Sequence, residues 1–364
     1  MKPAGRIVRQ AVRRTTPFLR PISVMRVLPH LLPRPAALPV LAVLVAIPGA
    51  HAQHGRFERP PQNGVYATCI RQNELYSTAS QSTPPISEIM PGREMVVVGK
   101  NGNWLRVFAN TDAPDTRQSD QPEFGSQAPP PISGWMLDQG IVTTNTLNGD
   151  LIVFGAADAA EQAASVPDPP PGMAEQARLL YRRVVLMFPQ SRFVAEAMYR
   201  AADIRWQMQK TDASTLPSAH ERQPYLRELM DESEMKDVEK YFPNTRWADL
   251  AAFDLIDNKL CGDWQGSEEC PEKETGYYLQ YVQEHPNSPK AAEALYDALW
   301  RQASAGDMWS EDGNAKRAQQ DRDHAHGILA TMEQRFPDSS FTARAAEVVF
   351  KIDQGIAVYG ASSE

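Results

Sequence analysis

The second half of the chain carries apolar residues at the spacing of α-helices. From about residue 173 they recur three or four positions apart, so that each run keeps one apolar stripe on one face. Two runs show this most clearly: Val194, Ala197, Met198, Ala201 and Ile204 in one, and Ala291, Ala294, Leu295, Ala298 and Leu299 in the other. We therefore expect residues 174–364 to be α-helical.

Residues 63–146 have a different pattern. The runs GVYATCI, EMVVVGK, NWLRVFA and SGWMLDQGIV are rich in β-branched and aromatic residues and are separated by Gly, Asn and Pro. Asn101-Gly102 lies between two of these runs and is a strong signal for a tight β-hairpin. The expected fold class is therefore multidomain, with a small β-domain followed by a helical domain.

A recurring joint divides the helical part. A Pro recurs at four positions: Pro189, Pro243, Pro286 and Pro337. The residue two places on always carries a hydroxyl: Ser191, Thr245, Ser288 and Ser339. The residue eight places on is always Ala: Ala197, Ala251, Ala294 and Ala345. The residue before the Pro is Phe, with His285 as the exception. We expect the Pro to end one helix, the hydroxyl to cap the next, and the Ala to allow close helix contact.

These joints imply four helical hairpins. The strings AEAMY at 195–199 and AEALY at 292–296 resemble tetratricopeptide-like repeats, as found in the periplasmic outer-membrane assembly lipoprotein and the cell-division coordinator. The Pro residues are 54, 43 and 51 positions apart, whereas the usual repeat is about 34 residues. The resemblance implies a solenoid over residues 174–364 that binds proteins or peptides.

The β-rich part also resembles a known family. Pro91-Gly92 precedes EMVVVG, Trp104 opens a Trp-x-x-Val run, and Gly134-Trp135-Met136 follows. This order is similar to that of bacterial SH3-like domains and implies a small β-barrel over residues 63–146. Residues 110–132 form a polar, Pro-rich insertion between its last two strands.

The SH3-like resemblance also implies an aromatic-lined groove that binds peptides or cell wall. Four aromatic side chains are candidates for it: Tyr66, Tyr76, Trp104 and Trp135. The alternative is that these side chains fill the core or rim, because small barrels need large side chains inside.

The Ala- and Pro-rich residues 147–173 are expected to be a linker between the two domains, ending in a stiff Asp-Pro-Pro-Pro-Gly spacer.

The N-terminal residues have the features of a secretory signal. Residues 1–52 carry eight Lys or Arg and no Asp or Glu, with an apolar stretch and then an Ala-x-Ala site ending at Ala52. We expect cleavage after Ala52, with Met25 as an alternative start and residues 53–62 as a linker. This predicts a periplasmic protein, with an extracellular location as the alternative.

Loss of this leader makes the chain strongly acidic. It leaves 29 Lys and Arg against 45 Asp and Glu, so the formal net charge changes from −8 to −16. Such a charge disfavours nucleic acid and anionic membranes as partners. No other segment is apolar enough to predict a membrane span.

Three cysteines remain to be placed. Cys261 and Cys270 enclose a polar loop and are expected to form a disulfide in an oxidising compartment. A zinc site is the weaker alternative, because two Cys without a nearby His supply too few ligands. Cys69 lies in an apolar run, which favours a buried thiol over a reactive one.

No catalytic motif stands out, and no cofactor is expected. The most metal-like cluster is Asp321, Asp323, His324 and His326. Residues two apart on a helix face different directions, so a solvated helix is the better interpretation.

These features predict a non-catalytic exported adaptor that binds an envelope protein or peptide through its helical repeats. The alternatives are an accessory subunit of a cell-wall enzyme, held on peptidoglycan by the SH3-like domain, and an enzyme with an unrecognised site. Trp264 and Trp309, which lie in polar inserts, are weaker candidates for a binding surface.

Overall fold

The computed structural model describes residues 63–112 and 129–359 of the chain. The predicted signal over residues 1–52, the linker over residues 53–62 and most of the insertion over residues 110–132 lie outside these residues.

Seven strands occupy the first part of the described chain: β1 Val65–Cys69, β2 Asn73–Leu75, β3 Ser87–Ile89, β4 Glu94–Asn101, β5 Trp104–Ala109, β6 Ile132–Leu137 and β7 Ile141–Thr143. Five of them form an antiparallel sheet in the order β6-β5-β4-β1-β7, and β2 pairs with β3. The predicted tight hairpin is confirmed, since β4 and β5 join through Gly102 with a positive φ of 58°.

The sheet does not close into the barrel that the sequence predicted. Its edge strands are β6 and β7, which do not pair with each other. Strand β7 is three residues long, and its Val142 packs into a core cluster shared with helices. That side of the sheet is therefore covered by helices and not by another strand.

Nine α-helices follow within the described residues: α1 Gly149–Ala164, α2 Met173–Met187, α3 Val194–Ser214, α4 Ser233–Tyr241, α5 Arg246–Asp254, α6 Glu269–Glu284, α7 Ala291–Glu311, α8 Ala315–Arg335 and α9 Ser340–Asp353. Short 3-10 helices span Pro217–His220, Pro224–Leu226 and Asp257–Lys259. The fold class is thus mixed, with a small sheet followed by a repeat-like helical array.

The four Pro joints connect α2 to α3, α4 to α5, α6 to α7, and α8 to α9. In each case the residue before the Pro is the C-terminal cap of the first helix: Phe188, Phe242, His285 and Phe336. This confirms that the Pro ends each first helix, because it has no N–H and disfavours helical backbone in the residue before it.

The hydroxyl side chains use two related geometries. Thr245 and Ser339 are themselves the N-caps of α5 and α9, as predicted, and accept hydrogen bonds from the amides of Ala248 and Phe341. Ser191 and Ser288 lie two residues before the N-caps of α3 and α7 instead, and accept from the N-cap amides at 3.2 and 3.0 Å.

Helix α1 corrects the predicted linker. It lies within residues 147–173, and its Val153, Ala157 and Ala160 pack into one core cluster with α2. Ala is the strongest helix former, and these three positions form a stripe, so the segment folds as a packed helix and not as a spacer. Only residues 165–172, which are Pro-rich, remain a loop between α1 and α2.

The sheet and the helical array are joined by a buried ion-pair cluster. Arg183 of α2, with 3% of its side chain exposed, donates to Glu94 of β4 at 2.7 Å and to Asp112 at 2.6 Å. The described residues, 63–112 and 129–359, belong to one compact unit. The sheet and the helices are therefore in direct contact, whereas the sequence predicted two domains separated by a linker.

No helix among the described residues is both long enough and apolar enough to cross a bilayer.

Candidate binding surfaces

The structure brings three of the four predicted aromatic residues together. Tyr76 and Trp135 exchange backbone hydrogen bonds at 2.7 and 2.8 Å, and the Tyr76 ring meets that of Trp104 edge-on at 5.5 Å. Tyr66 is 54% exposed but lies on β1, which β4 and β5 separate from β6. Tyr76 is only 4% exposed, so its ring contributes mainly to packing. Trp104 and Trp135 are half-buried, so part of each side chain is exposed at this place.

Two grooves flank helix α6. We name them by the outer helices that bound them. The α4–α6 groove has a volume of about 330 Å³ and has α5 as its floor; the α6–α8 groove has about 550 Å³ and has α7 as its floor. Both volumes lie in the range of ligand-sized clefts. Each groove lies between the first helices of two successive hairpins, so the repeat itself produces them.

The α4–α6 groove is polar at its rim. His285, which replaces the usual Phe at the joint, contacts Asp249 of α5 through Nδ1 at 2.8 Å and stacks on Tyr281. Glu239 of α4 also lines the groove, and burial raises its pKa. His285 therefore holds two hairpins together in addition to facing the groove.

The α6–α8 groove is mainly apolar. Leu279 and Val282 of α6 and Ile328 of α8 form its walls, and Leu295 of α7 lies at its floor. Leu279 is 39% exposed. At the floor, the Gln302 amide donates to the buried Asp321 at 2.7 Å. Burial raises the pKa of Asp321 to about 6. This groove could hold an apolar side chain of a partner.

The metal-like cluster on α8 does not converge on one point. Asp321 points to Gln302 of α7, His326 contacts Asp353 of α9 at 3.0 Å, and Asp323 and His324 line the α6–α8 groove. Asp321 is 5% exposed, so this stretch is not wholly solvated as the sequence suggested. In the described part of the chain, no group of three His, Cys, Asp or Glu could hold a metal ion.

Sequence reasoning missed a set of half-buried carboxyls on α3, α5 and α7. The Tyr199 hydroxyl donates to Asp254 at 3.0 Å. Burial, followed by the charge of Asp203, raises the pKa of Asp254 to about 7. Burial likewise raises the pKa of Asp297 to about 6. One signal was present, because Asp254 and Asp297 each lie eleven positions after their Pro.

Cys261 and Cys270 form a disulfide, as the sequence predicted. The buried Glu274 organises the loop that they close, since it accepts hydrogen bonds from the Cys261 amide at 2.8 Å and from Trp264 at 3.1 Å. Trp309 is similarly engaged, with its indole N–H donating to Glu272 at 2.8 Å.

No protein-family model matches this chain, and no curated protein matches it.

Proposed function

We propose that this chain is an exported, non-catalytic adaptor that binds a segment of another protein through its helical array. The observation that carries the proposal is the pair of grooves on either side of α6. Successive hairpins leave them open; the α4–α6 groove has a polar rim, and the α6–α8 groove has mainly apolar walls. A partner helix or extended segment could use such a surface, as helical-repeat proteins do in general.

The polar groups of the grooves support recognition and not acid–base chemistry. His285 is held by Asp249, and Arg335 donates to the carbonyl of Pro286 at 2.8 Å. Both side chains thus hold helices in place, which favours a rigid surface for a partner.

Export is part of the same proposal. The basic and apolar leader of residues 1–52 supports it, and the Cys261–Cys270 disulfide is compatible with an oxidising compartment such as the periplasm.

Site-specific photo-crosslinking tests the adaptor function. A benzophenone amino acid would replace Leu279 in the α6–α8 groove, and Leu216 would be the matched control because it is 41% exposed and lies outside both grooves. We expect irradiation of intact cells to link one specific protein at position 279 and not at position 216. Identical adducts at both positions, or none at either, would refute the proposal.

A second role for the sheet is retention on peptidoglycan, favoured by Trp104 and Trp135, which both contact Tyr76. In this case the full chain sediments with purified peptidoglycan, and Trp135→Ala releases it while Tyr66→Ala does not. Equal release by both variants would rule out a surface centred on Trp135.

A further inference from the structure

The chain returns to the helical array after α9. Two consecutive backbone amides, those of Val358 and Tyr359, donate to the same carboxylate oxygen of Asp307 on α7, at 2.6 and 3.2 Å. A charged acceptor makes these hydrogen bonds stronger than neutral ones. Asp307 thus holds two successive backbone amides of the residues that follow α9.

The side chains of Val358 and Tyr359 also make defined packing contacts. Val358 is 8% exposed and belongs to the core cluster of α6 to α9. The Tyr359 ring stacks on Trp264 with centroids 5.8 Å apart, and Trp300 lies behind Trp264 at 5.3 Å. Trp264 is held by the disulfide-closed loop and by Glu274.

The residues that connect this segment to α9 bury much less of their surface than Val358 and Tyr359 do. Gln354, Gly355, Ile356 and Ala357 are all exposed. The contacts therefore belong to a two-residue unit, an aliphatic residue followed by an aromatic one. Proteins commonly recognise peptide segments by combining backbone hydrogen bonds with pockets for side chains.

We propose that Asp307, Trp264 and the adjoining core form a peptide-binding subsite for an aliphatic–aromatic pair, which the chain's own Val358 and Tyr359 occupy as an internal competitor. A partner segment with the same aliphatic–aromatic pair displaces Val358 and Tyr359 from the subsite. That last step rests on the proposed adaptor function, whereas the subsite itself does not.

The covalent connection to α9 sets the affinity that the subsite must have. Because this connection is short and flexible, Val358 and Tyr359, the internal tail, have an effective concentration of about 1 mM at the subsite. A tail that remains bound under this condition must have an intrinsic dissociation constant of about 1 mM or lower. Free peptide should therefore bind measurably once the internal tail is removed from the site.

The test uses the full chain with Val358→Asp and Tyr359→Ala, which expels the tail. The probe is a fluorescein-labelled peptide with the sequence of residues 353–359, DQGIAVY, followed by anisotropy. We expect saturable binding with a dissociation constant of about 1 mM or tighter, and binding to the unaltered chain at least about twofold weaker, because the internal residues compete at an effective concentration of about 1 mM. Adding Asp307→Asn should weaken binding to the opened chain by about tenfold, because the charged acceptor is lost.

Two controls distinguish specific binding at the subsite from non-specific binding of the peptide. Glu311→Gln, an exposed change on the same helix, should leave binding unchanged, and a peptide with the Val and Tyr replaced by Asp and Ala should not bind. If the opened chain keeps the circular dichroism of the unaltered chain and does not bind the peptide at about 5 mM, the subsite is refuted. Binding that Asp307→Asn does not weaken refutes it too.

A second measurement decides the matter if the opened chain does not fold. The unaltered chain would carry 3-fluorotyrosine at position 359, and unlabelled peptide would be added at about 5 mM. Movement of the fluorine resonance towards its value in the free peptide supports an exchangeable subsite. A resonance that stays in place refutes it, and the crosslinking at Leu279 is independent of either result.

Discussion

Burial sets the chemistry of Cys69. Its side chain is fully buried among the sheet core residues, and its thiol donates to the carbonyl of Met90 at 3.2 Å. Burial raises the pKa of this thiol to about 12, because a thiolate would lose its hydration in the apolar core. The sequence pattern already favoured a buried thiol here, and the structure confirms it.

We therefore expect Cys69 to resist iodoacetamide in the folded protein at pH 8, where almost none of it is thiolate. The measurement is mass spectrometry of the labelled protein before and after denaturation in guanidinium. Equal labelling rates in the two states would contradict the buried position.

Asp254 makes folding depend on pH. Its pKa is about 7 in the folded chain, against an ordinary value of 3.8. The folded state thus holds this proton more tightly than the unfolded state does. The free energy of unfolding should consequently decrease as the pH rises from about 4 to about 7, and Asp203 and Asp257 add to this effect while Lys290 opposes it.

The variant Asp254→Asn should be more stable than the unaltered chain at pH 8, by roughly 2 kcal/mol after allowance for partial exposure. This advantage should be clearly smaller at pH 5, because most of the pH-dependent loss lies between about pH 5 and pH 7. Urea unfolding at both pH values measures the difference. Asp312→Asn, which changes an exposed carboxyl, is the control. An advantage that does not change with pH would show that Asp254 is not the titrating group.

At the scale of elements, the Pro joints set how closely neighbouring helices pack. All four Ala residues eight positions after the Pro are fully buried: Ala197, Ala251, Ala294 and Ala345. A larger side chain at any of these positions would have to push two helices apart. Small size at this position is therefore a requirement of the array.

We expect Ala345→Leu to lower the free energy of unfolding by about 1–3 kcal/mol through overpacking. The neighbouring Ala346 is exposed on the same helix, so Ala346→Leu is the matched control and should change stability by about 0.5 kcal/mol or less. Chemical denaturation of both variants gives the comparison, and equal effects would mean that the joint tolerates larger residues.

At the scale of the molecule, Arg183 connects the sheet to the helices. The variant Arg183→Met leaves Glu94 and Asp112 without their buried cation, which should cost about 3–5 kcal/mol. Lys100→Met breaks the ion pair with Asp138, in which the Lys100 side chain is 60% exposed, and should cost about 1 kcal/mol or less.

Urea unfolding followed by tryptophan fluorescence and by circular dichroism would measure both variants. We expect one cooperative transition in the unaltered chain and a large loss only for Arg183→Met. Equal losses for the two variants would mean that the sheet and helices are not coupled through Arg183.

The amino-acid sequence by itself determined the features that depend on local rules. The helices follow from apolar periodicity, the joints from the missing amide of Pro, the β4–β5 hairpin from Asn-Gly, and the disulfide from two Cys around one short loop. For the candidate binding surfaces, the SH3-like resemblance named Tyr66, Tyr76, Trp104 and Trp135, and their role in binding stays a prediction. Each of these depends on residues that are close in the chain or on a pattern that repeats along it.

Only the tertiary structure decided which distant groups meet. It left the sheet open, packed α1 against α2, placed Arg183 between Glu94 and Asp112, and separated Tyr66 from the other aromatic residues. It also formed the grooves beside α6 and seated Tyr359 on Trp264. These contacts join residues far apart in sequence, and their energies depend on burial and geometry, which no local pattern encodes.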